Sequence, residues 1–168
     1  MAKNKALRLF DLVMNIFAYI AGILVLLVAL FVSYTVVVRY LHFKPPGWVL
    51  QYTEYALLWI TFLGAAWLLR EEGHINIDTL LVRLPPRVRT VLDIVVNILG
   101  GLVCLVIVGF GTAKVVDFIN RGIMDVKGVT LPMYPIFIII PVGGLLLLIQ
   151  FIRNVFKHVR IVRNKEDK

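Results

Sequence analysis

Residues 12–38 read LVMNIFAYIAGILVLLVALFVSYTVVV, a run without a single charged side chain. A helix crosses a bilayer core in about 20 residues, rising ~1.5 Å with each. This run therefore reaches across with residues to spare, and tilt or protrusion is expected to absorb the excess. Lys3, Lys5 and Arg8 stand in front of it, as basic residues do in a secretory signal peptide. The apolar run is about twice the length of a signal core, and no small-x-small cleavage site closes it. It is expected to remain as an uncleaved first helix.

Working outward, three more apolar blocks follow, separated by short charged stretches. The four spans are expected at about 12–38, 48–69, 91–113 and 131–152. Hydrophobic residues make up 60% of the 168, against a little under half in an ordinary soluble domain. The stretches outside the blocks are too short to fold as a soluble domain. The expected fold is an all-α membrane protein, residues 1–168 forming one four-helix transmembrane domain.

Arg39-Tyr40 closes the first block, and Lys44-Pro45-Pro46-Gly47 makes a stiff connection to the second. Trp48 and Trp67 stand 19 residues apart, about 28 Å along a helix, which suits two anchors at opposite interfaces. Residues 70–89 form the longest polar connection. Asp78 is placed to cap a short amphipathic surface helix from Thr79 to Leu84, with Leu80, Leu81 and Leu84 as its apolar side. The third block is expected to continue as an amphipathic extension, with Lys114, Asp117 and Arg121 on one side and Val115, Phe118 and Ile119 on the other. Gly122 suits a helix stop. Pro132 and Pro135 open the fourth span, and Pro141 with Gly143-Gly144 marks a weak point in it.

The net charge of +8 belongs to membrane flanks, and no nucleic-acid partner is expected. Of the 18 Lys and Arg residues, 13 lie before the first span, in the central connection and in the tail, and 5 lie in the other two connections. The positive-inside rule then places both termini and the central connection in the cytoplasm.

The chain offers little to a catalyst. His42, His74 and His158 all lie at or beyond span ends, so intramembrane haem ligation is not supported. Glu71, Glu72, His74 and Asp78 are the only local set of metal-ligand types, and they read as a polar loop at the cytoplasmic surface in preference to a metal site. Cys104 lies deep in an apolar run as a packing residue. Glu54 is the one acid set well inside a span, Asp93 standing at the edge of the third. It is either an ion-coupling group or a side chain that reaches the interface and pairs with a base such as Arg39 or Lys44.

The spans do carry faces of small and polar residues, which let helices approach closely. They are Asn15, Ala18, Gly22, Ala29 and Ser33 in the first; Gln51, Glu54, Leu58, Thr61 and Ala65 in the second; and Asp93, Asn97, Gly100 or Gly101, Cys104, Val108 and Gly111 in the third.

Taken in order, Arg39-Tyr40, Trp48, Glu54, Gly64-Ala65-Ala66, Gly73-His74-Ile75, Asp78, Leu84-Pro85, Leu131-Pro132 and Pro141-Val142-Gly143 resemble the small, Q-type (DctQ-like) membrane subunit of tripartite ATP-independent periplasmic (TRAP) transporters. Tyr134 departs from the pattern, where a tryptophan would be expected. The resemblance implies a non-catalytic subunit of the bacterial inner membrane. Its partners would be a large multi-spanning subunit, which holds the substrate and sodium sites, and a periplasmic binding protein that delivers an organic anion such as a dicarboxylate or sialic acid. No cofactor is expected in this chain. Arg39, Trp48, Glu54, Trp59, Trp67, His74 and Asp78 are expected to serve anchoring or subunit contact, and residues 39–47 and 114–130 either to face the binding protein or merely to connect helices. The alternative is a stand-alone homodimeric transporter coupled through Glu54.

Overall fold

The computed structural model describes residues 2–71 and 86–166, with side chains over 8–71 and 91–157. The expected surface helix at Thr79–Leu84, with His74 and Asp78, lies outside the described residues.

Four helices are long and apolar enough to cross a membrane, as expected of an all-α membrane protein. Helix α1 runs Ala2–Tyr40 and α2 runs Gly47–Glu71. Helix α3 takes in Pro86–Arg121, including the amphipathic extension. There Asp117 pairs with Lys114 (3.7 Å) and Arg121 (2.5 Å), while Val115 and Phe118 are buried and Ile119, expected beside them, is exposed. A short hairpin follows, β1 (Met124–Asp125) against β2 (Leu131–Pro132), antiparallel with Asp125 opposite Leu131. The sequence pattern predicts no strand here, two residues being too few to show alternation. The fourth span comprises the short α4 (Tyr134–Phe137) and α5 (Ile139–Glu166).

Helix ends follow local chemistry. Gly122 adopts φ +60° and ends α3, with Ile123 N–H returning to the Phe118 carbonyl and Gly122 N–H to that of Ile119. His42, also at φ +60°, ends α1 by the same pair of bonds, Phe43 to Val38 and His42 to Arg39. The break between α4 and α5 comes one turn before Pro141. Proline has no N–H to offer the Phe137 carbonyl, and its ring crowds that oxygen. The weak point therefore falls near the entry of the span and not in its middle.

In space the helices form a row. Helix α1 packs on α2, α2 on α5, and α5 on α3. Between α1 and α3 there is no comparable interface among the described residues, so the bundle stays open. Burial agrees: 28% of the best apolar window in the fourth span is buried, against 6% in each of the outer two. Ala21, Leu63 and Ile139 form the core where α1, α2 and α5 meet, with Phe17, Leu58, Trp59 and Phe62 around them.

Glycines set these contacts. A Cβ on Gly143 would lie 2.6 Å from Cβ of Phe62 on α2, and one on the adjacent Gly144 would lie 3.0 Å from Val108 on α3. From the other side, Gly100 and Gly111 of α3 receive Phe151 and Ile140. The third-span face read from the sequence is thus the α3–α5 interface, with Cys104 buried in α3. By contrast, Gly22 and Gly64 meet nothing within 4 Å.

Gly143→Ala should lower the thermal unfolding midpoint in detergent, a loss of about 1–3 kcal/mol from overpacking. Gly101→Ala, whose Cβ would meet only ordinary contacts at 3.8 and 3.9 Å, should leave the midpoint unchanged. Equal effects of the two substitutions would contradict this packing.

Candidate functional site

The best-built polar arrangement joins the start of α2 to the hairpin. Gln51, Glu54 and Tyr55 occupy one turn of α2, so their side chains leave the helix close together. Gln51 is 1% exposed, and its amide is fully used. Its Oε1 accepts from the backbone N–H groups of Gly128 (3.2 Å) and Val129 (2.8 Å). Its Nε2 donates to the Val129 carbonyl and to the Tyr55 hydroxyl, both at 3.0 Å. Tyr55 in turn donates a short hydrogen bond to the Asp125 carboxylate. One glutamine thus holds three backbone groups of the hairpin turn, and a buried amide so satisfied costs little to bury.

Electrostatics tighten the same contact. The hydrogen bond from Tyr55 holds the buried Asp125 carboxyl below the ordinary carboxylate range, against the opposing effect of burial. Lys127 donates to Glu54 at 2.6 Å, and this bond raises the lysine above its usual value. Both members of that pair are exposed, so it steers the hairpin more than it stabilises it. Close backbone approach completes the clamp. A Cβ on Gly128 would fall 2.6 Å from the Trp48 nitrogen and 2.7 Å from the Gly47 carbonyl carbon. Trp48 itself meets Phe31 of α1 and Tyr52 edge-on, with centroids 6.1 and 6.2 Å apart.

A second polar group gathers at the opposite end, where the termini lie. Arg70 of α2 donates to the Asp11 carbonyl (3.1 Å), the Asn15 side chain (2.6 Å) and the Glu71 carboxylate (2.8 Å). Arg153 of α5 pairs with the Asp11 carboxylate at 3.0 Å and lies 5.0 Å from the Phe10 ring centroid. Asp11 and Arg70 therefore tie α1, α2 and α5 together.

The expected residues separate in space. Glu54 pairs with Lys127, not with Arg39 or Lys44, because the hairpin folds over it. Arg39 has no ion pair among the described residues and lines a groove between α1 and α2 with Pro45, Pro46 and Leu50. Trp59 packs on the core. Trp67 lines a second α1–α2 groove with Gly22, Gly64 and Arg70. The clamp residues Tyr55 and Asp125 were not singled out from the sequence, since 70 positions separate them. No group of three metal-ligating side chains occurs among the described residues. The arrangement can hold and present a rigid loop. It sets Met124 and Val126 outward as exposed apolar residues, and the neighbouring α1–α2 connection exposes Leu41 and Phe43.

The family model for the DctQ component of tripartite ATP-independent periplasmic transporters matches residues 28–161, and the chain belongs to that family. The C4-dicarboxylate TRAP transporter small permease protein DctQ of Pseudomonas aeruginosa is 29% identical over 123 residues, which cover 71% of this chain. The matched region is 56% of that relative, so the chain spans about half the length of the curated protein it matches.

The clamp has a defined pH dependence. Because the folded Asp125 is more acidic than its unfolded value of about 3.9, its contribution is full above that pH and is lost as pH falls through the lower folded value. The protection of the Gly128 and Val129 amides, relative to their intrinsic exchange rates, should hold from neutral pH down to about 4 and fall only in stronger acid. Tyr55→Phe should move the onset to higher pH. Gln51→Leu should lower the protection of both amides by about tenfold at neutral pH, since each loses a hydrogen bond of about 0.5–1.5 kcal/mol. Unchanged exchange in Gln51→Leu would rule the clamp out.

Proposed function

We propose that this DctQ-family chain is the non-catalytic small permease subunit of a sodium-driven TRAP transporter for an organic anion, a dicarboxylate being the first candidate. The observation that carries this reading is the open helix row. Helices α1 and α3 leave long apolar faces uncovered at its two ends, and such faces suit both lipid and a larger membrane partner. The subunit packs on the large multi-spanning subunit, which holds the substrate and sodium sites, and anchors it in the bilayer. The relative's name supports the dicarboxylate assignment. Sialic acid and other sugar acids remain within the same substrate class.

The chain sits in the bacterial inner membrane with both termini in the cytoplasm, a reading supported by the distribution of lysine and arginine. The hairpin clamp then faces the periplasm. Its exposed Met124 and Val126, with Leu41 and Phe43 nearby, form the surface offered to the periplasmic binding protein. Arg39, Trp48 and Trp67 serve as interface anchors. In the competing reading, a stand-alone transporter, Glu54 would carry the coupling ion. Its pairing with Lys127 at an exposed end of α2 speaks for a structural role instead.

Purification of the tagged chain from its native membrane in mild detergent should bring down a large polytopic protein in near-stoichiometric amount. In the assembled transporter, Glu54→Gln should leave the sodium-to-substrate ratio unchanged. Recovery of the chain alone, or a changed ratio, would contradict the assignment.

A further inference from the structure

A groove of about 320 Å³ runs between α3 and α5 toward the end where the termini lie. Its walls include Ile98, Gly101 and Leu102 from α3 and Leu148, Phe151 and Phe156 from α5. Asn97 is the sole polar residue lining it, and that amide is already turned onto the Asp93 carbonyl at 2.7 Å. The walls therefore offer mainly dispersion contacts. Within a bilayer such a groove is filled, because its lining otherwise forfeits contacts on one side.

The mouth has a different chemistry. Phe156 is exposed at its rim, and the next residue is Lys157, exposed and without an ion-pair partner among the described residues. Arg153, one turn earlier, is already held by Asp11 and stacked on Phe10. It is the first charged residue of α5. Asp93, the acid on the facing stretch of α3, is itself engaged in an interaction. Helix α5 continues through Glu166, and its sequence adds Arg160, Arg163 and Lys165. An apolar slot that ends at a lysine with no ion-pair partner among the described residues matches one molecule class well: an apolar chain carrying a negative head.

We propose that this groove binds one anionic phospholipid of the bilayer, with an acyl chain against Gly101 and the headgroup phosphate at Lys157. A partner helix is a poorer occupant, because the slot's one polar side chain, Asn97, is already turned onto Asp93 and the basic mouth repels basic flanks. The inference rests on the transmembrane reading and not on which way the chain faces.

The test is native mass spectrometry of the full chain in mild detergent, titrated with palmitoyl-oleoyl phosphatidylglycerol or phosphatidylcholine. The phosphatidylglycerol should bind about fivefold more tightly, the effect of one basic residue near the headgroups. Lys157→Gln, at an exposed position, should bring the two lipids to equal affinity. Gly101→Leu, placed where a Cβ fits without a clash, should fill the slot and weaken both. Equal binding of the two lipids by the unaltered chain would overturn the proposal. So would selectivity that survives Lys157→Gln, or binding undiminished by Gly101→Leu. Termini found on the periplasmic side would overturn the proposed orientation and leave these lipid results as they are.

Discussion

Inside a bilayer, lipid tails are as apolar as the side chains they replace, so helices associate through close packing and not by escape from water. That constraint falls hardest on α5. Gly143 and Gly144 are adjacent, about 100° apart around the helix, and each accepts a side chain from a different neighbour: Phe62 of α2 and Val108 of α3. Two missing side chains thus let one helix serve two partners. The row α1–α2–α5–α3 follows, with the most buried helix inside it and the least buried helices at its ends. Gly100 and Gly111 repeat the device from the α3 side.

Packing alone leaves helices free to slide or tilt, and polar groups at both ends of the row restrain them. At one end Asp11 and Arg70 bring α1, α2 and α5 together, with Arg153 completing the contact. At the other, Gln51 holds the turn of the hairpin and Tyr55 reaches Asp125. The second restraint matters for the proposed function because the hairpin links α3 to the fourth span, and α2 fixes it. The apolar residues it displays are then held in a constant position relative to the row. A rigid loop of this kind is preorganised for a partner, which lowers the ordering cost of association.

Much of this was legible in the sequence. The charge-free run at 12–38 and its three successors gave the helices. Lys114, Asp117 and Arg121 at i, i+3 and i+7 gave the amphipathic end of α3, and Gly122 its stop. The glycine and cysteine face of the third span proved to be an interface. Order in the sequence does not carry the pairing of helices, however, and the sequence placed Glu54 near Arg39 or Lys44 because they are close along the chain. The actual partner, Lys127, arrives through the hairpin, a non-local contact made by two-residue strands too short to show any alternation. The spacing of Gln51 with Glu54 and Leu58 predicts a helix-packing face. The Gln51 amide turns instead to loop backbone 77 and 78 residues away, a demand set by unpaired N–H groups that no side-chain pattern records.

The measurement that tests the account most directly is uptake into proteoliposomes under a sodium gradient. Vesicles would hold the purified chain alone or the chain with its co-purified large partner, each with the binding protein and a labelled C4-dicarboxylate outside. The account predicts inert vesicles with the chain alone and sodium-dependent uptake once the large partner is present. Uptake by the chain alone would contradict the account and move the transport pathway into this chain.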